Sequence, residues 1–124
     1  ISYNMVLHHV NDMDWIIKET HKKLKPNGLL LIMEHDAPTD FDKILCDVQH
    51  LWEYKYYDIP NTESTGNYMS WLEFNYLVTS NGFKLLRHEM AIKYKDTLMN
   101  VTQVYFNLYI KKWEKNKKKD EEGN

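Results

Sequence analysis

The stretch Leu24-Lys25-Pro26-Asn27-Gly28-Leu29-Leu30-Leu31-Ile32-Met33-Glu34-His35-Asp36 decides how the chain is read. Pro26-Asn27-Gly28 ends a helix and turns the chain. Leu29 to Met33 is short and wholly apolar, with a turn before it and polar residues after it. That pattern predicts a strand buried on both faces, the interior strand of a parallel sheet. Glu34-His35-Asp36 then stands at the carboxyl end of that strand, where such sheets present their chemistry.

Upstream, Ile1 to Leu7 predicts a strand passing into a turn. Asp12 or Asp14 caps a helix whose loose stripe, Trp15, Ile16, Glu19 and Leu24, runs through Lys25. Downstream, Thr39 or Asp40 caps a helix from Phe41 to about Tyr56, with Phe41, Ile44, Leu45, Val48, Leu51 and Trp52 at spacings of three and four. Asp58 to Met69 is a polar loop long enough for a lid. Ser70, with Glu73 three residues on, caps a helix over Trp71–Ser80, and Asn81-Gly82 closes it. Phe83 to about Ile92 and Gln103 to Lys112 predict two strands, the second alternating at Val104, Phe106, Leu108 and Ile110. The order strand, helix, strand, helix, helix, strand, strand is α/β and ends in a hairpin, with the first two strands parallel neighbours. Residues 1–112 make one domain, and Trp113 to Asn124 a charged, solvated tail.

Composition narrows the class. Apolar residues at 43% and charged residues at 27% fit a globular body. A net charge of −2 gives no broad pull toward nucleic acid or an anionic membrane, and no apolar run is long enough to span a bilayer. A nucleic-acid partner rests on nothing beyond the tail lysines. The single cysteine, Cys46, forms no internal disulfide, which fits a reducing, cytoplasmic compartment. The chain opens inside the apolar segment Ile1–Leu7, which we read as a chain that has lost an upstream part.

From Leu7-His8-His9-Val10 through Glu34 the sequence resembles the class I methyltransferases that use S-adenosylmethionine. In that family the fourth strand ends in a segment like Val6-Leu7-His8-His9-Val10. A helix follows, and then a phrase like Leu24-Lys25-Pro26-Asn27-Gly28 leads into the fifth strand. The usual phrase has Gly-Gly where Asn27-Gly28 stands; Asn tolerates left-handed geometry, so the turn survives. Asn81-Gly82-Phe83 resembles the turn into the sixth strand, and Gln103 to Lys112 the antiparallel seventh. The resemblance implies a partial Rossmann-like fold, strands four to seven with their helices. Glu34-His35-Asp36 with Asp47-Val48-Gln49-His50-Leu51-Trp52-Glu53 is similar to a viral-type subgroup. The four glycines, at 28, 66, 82 and 123, do not form the Gly-rich loop with which the family holds its cofactor. The implied cofactor, S-adenosylmethionine, is therefore not expected to bind this chain alone. An upstream half or a partner subunit is expected to complete the site. A catalytically inactive subunit that stabilises or activates a partner is the alternative, and a small α/β binding module a third reading.

Candidate site residues lie at the two strand ends. The resemblance implies that Leu7, His8 and His9 face the cofactor. His8 or His9 could instead serve as a base for the acceptor's proton, a role suited to imidazole near neutrality. Glu34, His35 and Asp36 are candidate substrate contacts, competing with plain strand-end solvation. Asp47, His50 and Tyr54, at i, i+3 and i+7, share a helical face and join the same list. Asp47 and His50 could pair as carboxylate and imidazole, or join His35 and Asp36 around a metal; a solvated polar face is the preferred reading, and no metal is assigned. Tyr54, Tyr56, Tyr57 and Tyr68 flank the loop as acceptor cover or as anchors, and Cys46 reads as core. The methyl acceptor is unassigned.

Overall fold

The computed structural model describes residues 1–58, 66–91 and 103–112. Residues 59–65 of the loop expected at Asp58–Met69, the connection after residue 91 and the charged tail lie outside them. Four strands form one sheet: β1 (Ser2–Asn4), β2 (Leu29–Asp36), β3 (Phe83–Met90) and β4 (Gln103–Lys111). Their order is β1-β2-β4-β3. β1 and β2 are parallel, and β4 enters between β2 and β3, antiparallel to both. This is the α/β arrangement expected from the sequence, with its last strand reversed. A short 3-10 turn (Leu7–His9) follows β1. The helices are α1 (Met13–Lys23), α2 (Asp40–Tyr56) and α3 (Trp71–Ser80).

Local chemistry sets the boundaries. Asp12 accepts the Trp15 N–H at the start of α1. Thr39 and Asp42 form a reciprocal capping box on α2, and Ser70 accepts the Glu73 N–H on α3. Asn27 takes the left-handed conformation, φ 61°, in the turn before β2. Gly82, at φ 86°, lies where an added Cβ would meet His21 Nε2 at 2.5 Å, so a side chain in the turn into β3 would be strained and would displace the His21 ring.

One face of the sheet is covered. Leu30 and Ile32 of β2 and Tyr105 and Tyr109 of β4 pack with Met13 and Ile17 of α1 and Phe74 and Val78 of α3. α1 presents Met13, Ile17, Thr20 and His21 to this core, while Trp15 of the expected stripe points outward. On the other face the described residues leave apolar side chains exposed. Leu29 and Leu31 are exposed, and Leu31, Phe106 and Leu108 line a groove of about 290 Å³ with Arg87 and Glu89. β2 is thus interior as expected, but its apolar run alternates between covered and exposed faces rather than being buried on both.

α2 departs furthest from expectation. Its apolar stripe faces outward: Phe41 is 67% exposed, and Ile44, Val48, Leu51 and Trp52 are all exposed. Its inward residue is Cys46, which packs with Ala37 and Tyr68. The helix therefore turns its polar side, with His50, toward the strand ends.

Candidate functional site

Two backbone features build the site. At Met5 the chain adopts φ 56°, and its N–H bonds the Met33 carbonyl at 2.9 Å, the last rung of the β1–β2 ladder. A left-handed residue with a side chain costs about 1–2 kcal/mol, and here it swings Leu7-His8-His9 across the end of β2. β2 itself continues: Glu34, His35 and Asp36 pair with Tyr105, Val104 and Gln103 of β4. The three residues expected just after the strand are its last three, because β4 supplies partners after β1 has ended. Alternation then sends the Glu34 side chain beneath the 3-10 turn.

Glu34 is buried and fully engaged. Its Oε1 accepts the His8 backbone N–H at 2.8 Å, and its Oε2 accepts the His35 N–H at 2.9 Å. His8 Nδ1 lies 2.6 and 2.7 Å from the two oxygens. Burial alone raises the Glu34 carboxyl, but the His8 ring and these N–H donors outweigh it and hold it below the ordinary carboxylate range. His35 is pushed down to about 4 by burial, against the pull of the Glu34 charge, so it is a neutral imidazole at pH 7.

Across from them stands His50. Its Nδ1 lies 2.7 Å from the Cys46 carbonyl, four residues earlier on α2, and 3.1 Å from the Tyr68 hydroxyl. A carbonyl can only accept, so Nδ1 carries the hydrogen. His50 Nε2 then meets His8 Nε2 at 3.1 Å. Tyr68 stacks on His8 with ring centroids 5.2 Å apart, and burial holds its phenol well above the ordinary tyrosine range. Segment 66–70 is laced over the site: Asn67 N–H donates to the His8 carbonyl, and its side chain donates to the carbonyls of Val10 and Asn11. Ala37 N–H donates to the Met69 carbonyl.

The structure thus gathers His8, His9, Glu34, His35 and His50, and Leu7 is buried beneath them. The ring of His9, exposed, lies 5.6 Å from that of His50. With Met5 and Tyr54, these histidines line a cleft of about 390 Å³. Tyr54 reaches its rim, 6.5 Å from the His50 ring. Asp36 does not join the cluster: its carboxylate accepts the Trp71 N–H at 2.9 Å and ties β2 to the start of α3. Asp47 does not pair with His50 either. It accepts the Gly66 N–H, while His50 Nδ1 is taken by the helix's own carbonyl. On the α2 polar face Asp47, His50 and Tyr54 are half-buried, and His50 lies against His8.

Sequence reasoning did not single out Tyr68, Asn67 or the Cys46 carbonyl. Tyr68 was one of four loop tyrosines, and nothing in the spacing separated it from the rest. The ligand atoms of His8, His9 and His50 lie within 4.8 Å of one another, as do those of His8, Glu34 and His35, so either set could hold a metal ion. Among the described residues no helix is long and apolar enough to cross a membrane.

The family described as a methyltransferase domain matches residues 1–88. No curated protein matches the sequence. Among solved structures, an S-adenosylmethionine-dependent methyltransferase of Methanosarcina mazei superposes with a TM-score of 0.63 at 19% identity, covering 91% of this chain and 58% of that one. The YcgJ protein of Bacillus subtilis gives 0.59 at 18% identity, covering 92% and 64%. The [4+2]-cyclase SpnF gives 0.62 at 10% identity, covering 91% and 49%. The chain therefore spans about half to two thirds of the length of these three structures. At such identities they establish the fold alone, and the cyclase among them shows that this fold also hosts other chemistry.

Proposed function

The chain belongs to the methyltransferase domain family, and on that premise we propose that it supplies the acceptor side of an S-adenosylmethionine-dependent methyl-transfer site. The observation that carries the reading is the pairing of the sheet order β1-β2-β4-β3 with a cleft at the carboxyl ends of the two parallel strands. Ligands of open α/β sheets bind at that edge. Methyl transfer needs an acceptor held in line with the sulfonium methyl and a group to take the acceptor's proton. We assign that role to His9, exposed at the cleft, and to the Nε2 atoms of His8 and His50 in its lining. Glu34 and the Cys46 carbonyl orient the latter two. The cofactor's amino-acid and ribose ends would be held by an upstream half of the same domain or by a partner.

Calorimetry of the intact protein with S-adenosylmethionine, followed by a methyl-transfer assay with labelled cofactor, tests this. Cofactor binding by the intact protein, with a loss of methyl transfer in His9→Ala, is the expected result. An intact protein that binds no cofactor overturns it. That outcome would favour the second reading, a non-catalytic methyltransferase-like subunit, for which the outward apolar stripe of α2 supplies a docking face.

A further inference from the structure

We propose that His8, His9 and His50 form a binding site for one divalent transition-metal ion of the zinc type, with a fourth position open to the cleft. The inference stands on the histidine geometry and holds whether or not the chain transfers methyl groups.

The hydrogen positions carry the argument. Glu34 takes the Nδ1–H of His8, and the Cys46 carbonyl takes that of His50. With the two Nδ1 hydrogens so placed, the Nε2 atoms face each other at 3.1 Å. Two ring nitrogens that close need a proton or a metal ion between them. Zinc–nitrogen bonds of about 2.0–2.1 Å at tetrahedral angles put neighbouring ligand nitrogens about 3.3 Å apart, so a small opening of this pair admits the ion. His9 supplies the third nitrogen, within 4.8 Å of the others.

The surroundings match what metal sites need. A ligating histidine usually gives its other N–H to a carboxylate or a backbone carbonyl, which fixes tautomer and ring direction. Both partner types occur here, one on each ring. Glu34 is itself pinned by two backbone N–H groups, and Tyr68 stacks on His8. Imidazole donors suit zinc, copper, nickel or iron rather than magnesium or calcium, which take oxygen. Three protein ligands and an open position form the pattern of a catalytic metal rather than a purely structural one. There the ion would act as a Lewis acid on a bound water or acceptor hydroxyl and lower its pKa.

The test uses the intact, untagged protein stripped with chelator and titrated with zinc, and with cobalt for its visible spectrum. One equivalent is expected to bind with micromolar affinity or better, and the cobalt form to show the intense d–d bands of a low-coordinate nitrogen site. His9→Ala and His50→Ala should each weaken binding at least 100-fold. Glu34→Gln should weaken it about 10–100-fold while retaining stoichiometry. Circular dichroism of the exposed His9→Ala variant separates lost binding from lost fold. No stoichiometric zinc at micromolar concentration overturns the proposal and leaves a shared proton between His8 and His50. Zinc binding that survives His9→Ala and His50→Ala unchanged overturns it equally.

Discussion

His8 and His50 meet Nε2 to Nε2 at 3.1 Å although 42 residues separate them. The contact exists because each ring is held from behind, His8 by Glu34 and His50 by the Cys46 carbonyl. The first consequence concerns Glu34. Its carboxylate receives two backbone N–H groups and the His8 ring inside the fold. Glu34→Gln replaces one accepting oxygen by an NH₂ that faces a donor. We expect a loss of about 1–3 kcal/mol in stability, the usual cost of an unsatisfied buried polar group, read from urea unfolding. An unchanged midpoint would show that the Glu34 charge does not organise the site.

Tyr68 makes two separable contributions. Its ring fills the small cluster with Ala37 and Cys46, and its hydroxyl contacts His50. Tyr68→Phe should cost about 0.5–1.5 kcal/mol, whereas Tyr68→Ala should cost about 3 kcal/mol or more by opening a cavity. Denaturant melts of the two variants distinguish hydroxyl from ring; equal losses would contradict this division.

The turns that lead into β2 and β3 allow a paired prediction. Gly82, at φ 86° where a Cβ would displace the His21 ring, should not tolerate Gly82→Ala, which we expect to destabilise by more than about 1 kcal/mol. Asn27, at φ 61°, should accept Asn27→Gly with a change of only a few tenths of a kcal/mol, and resist Asn27→Val. Thermal melts of the three variants should follow that order.

These turns also mark how far the sequence could be read. Asn27-Gly28 and Asn81-Gly82 announced themselves because left-handed backbone has few residue solutions, and the strands and helices between them followed from period and caps. The meeting of His8 with His50 did not. It depends on Met5 turning left-handed, on β4 extending β2 through Asp36, and on α2 rotating its apolar stripe outward. None of the three is a local preference. The i, i+3 spacing suggests an Asp47–His50 pair, but the Cys46 carbonyl takes the ring hydrogen and Asp47 accepts the Gly66 N–H. Asp36 was equally ambiguous, and the start of α3 claimed it.

High pH should unfold the chain through its buried tyrosines. Burial raises Tyr105 and Tyr109 well above the ordinary tyrosine range, and the Asn107 side chain offsets only part of this for Tyr109. A raised folded-state pKa means that the unfolded chain ionises first. The stability is intact below about pH 10 and falls as pH rises above it, by about 1.4 kcal/mol per pH unit for each such group. Tyr105→Phe should flatten the loss between about pH 10 and 11.5. A slope identical to the parent's would exclude Tyr105 as its source.

The outward stripe of α2 yields the last prediction. Phe41, Ile44, Val48, Leu51 and Trp52 are exposed along one helix, and Leu31 and Phe106 are exposed on the sheet face away from the core. Exposed apolar surface of this kind marks association. A charge placed there touches no packed neighbour, so Ile44→Asp with Val48→Asp should shift stability by no more than about 0.5 kcal/mol per site. The same substitutions should reduce self-association or release a bound partner, read by light scattering across a concentration series. Ile17→Asp is the control, because Ile17 is fully buried under the sheet and the charge there should abolish folding. If Ile44→Asp unfolds the chain as Ile17→Asp does, α2 is packed on its apolar side in solution. If folding and association are both unchanged, the stripe is not a contact surface.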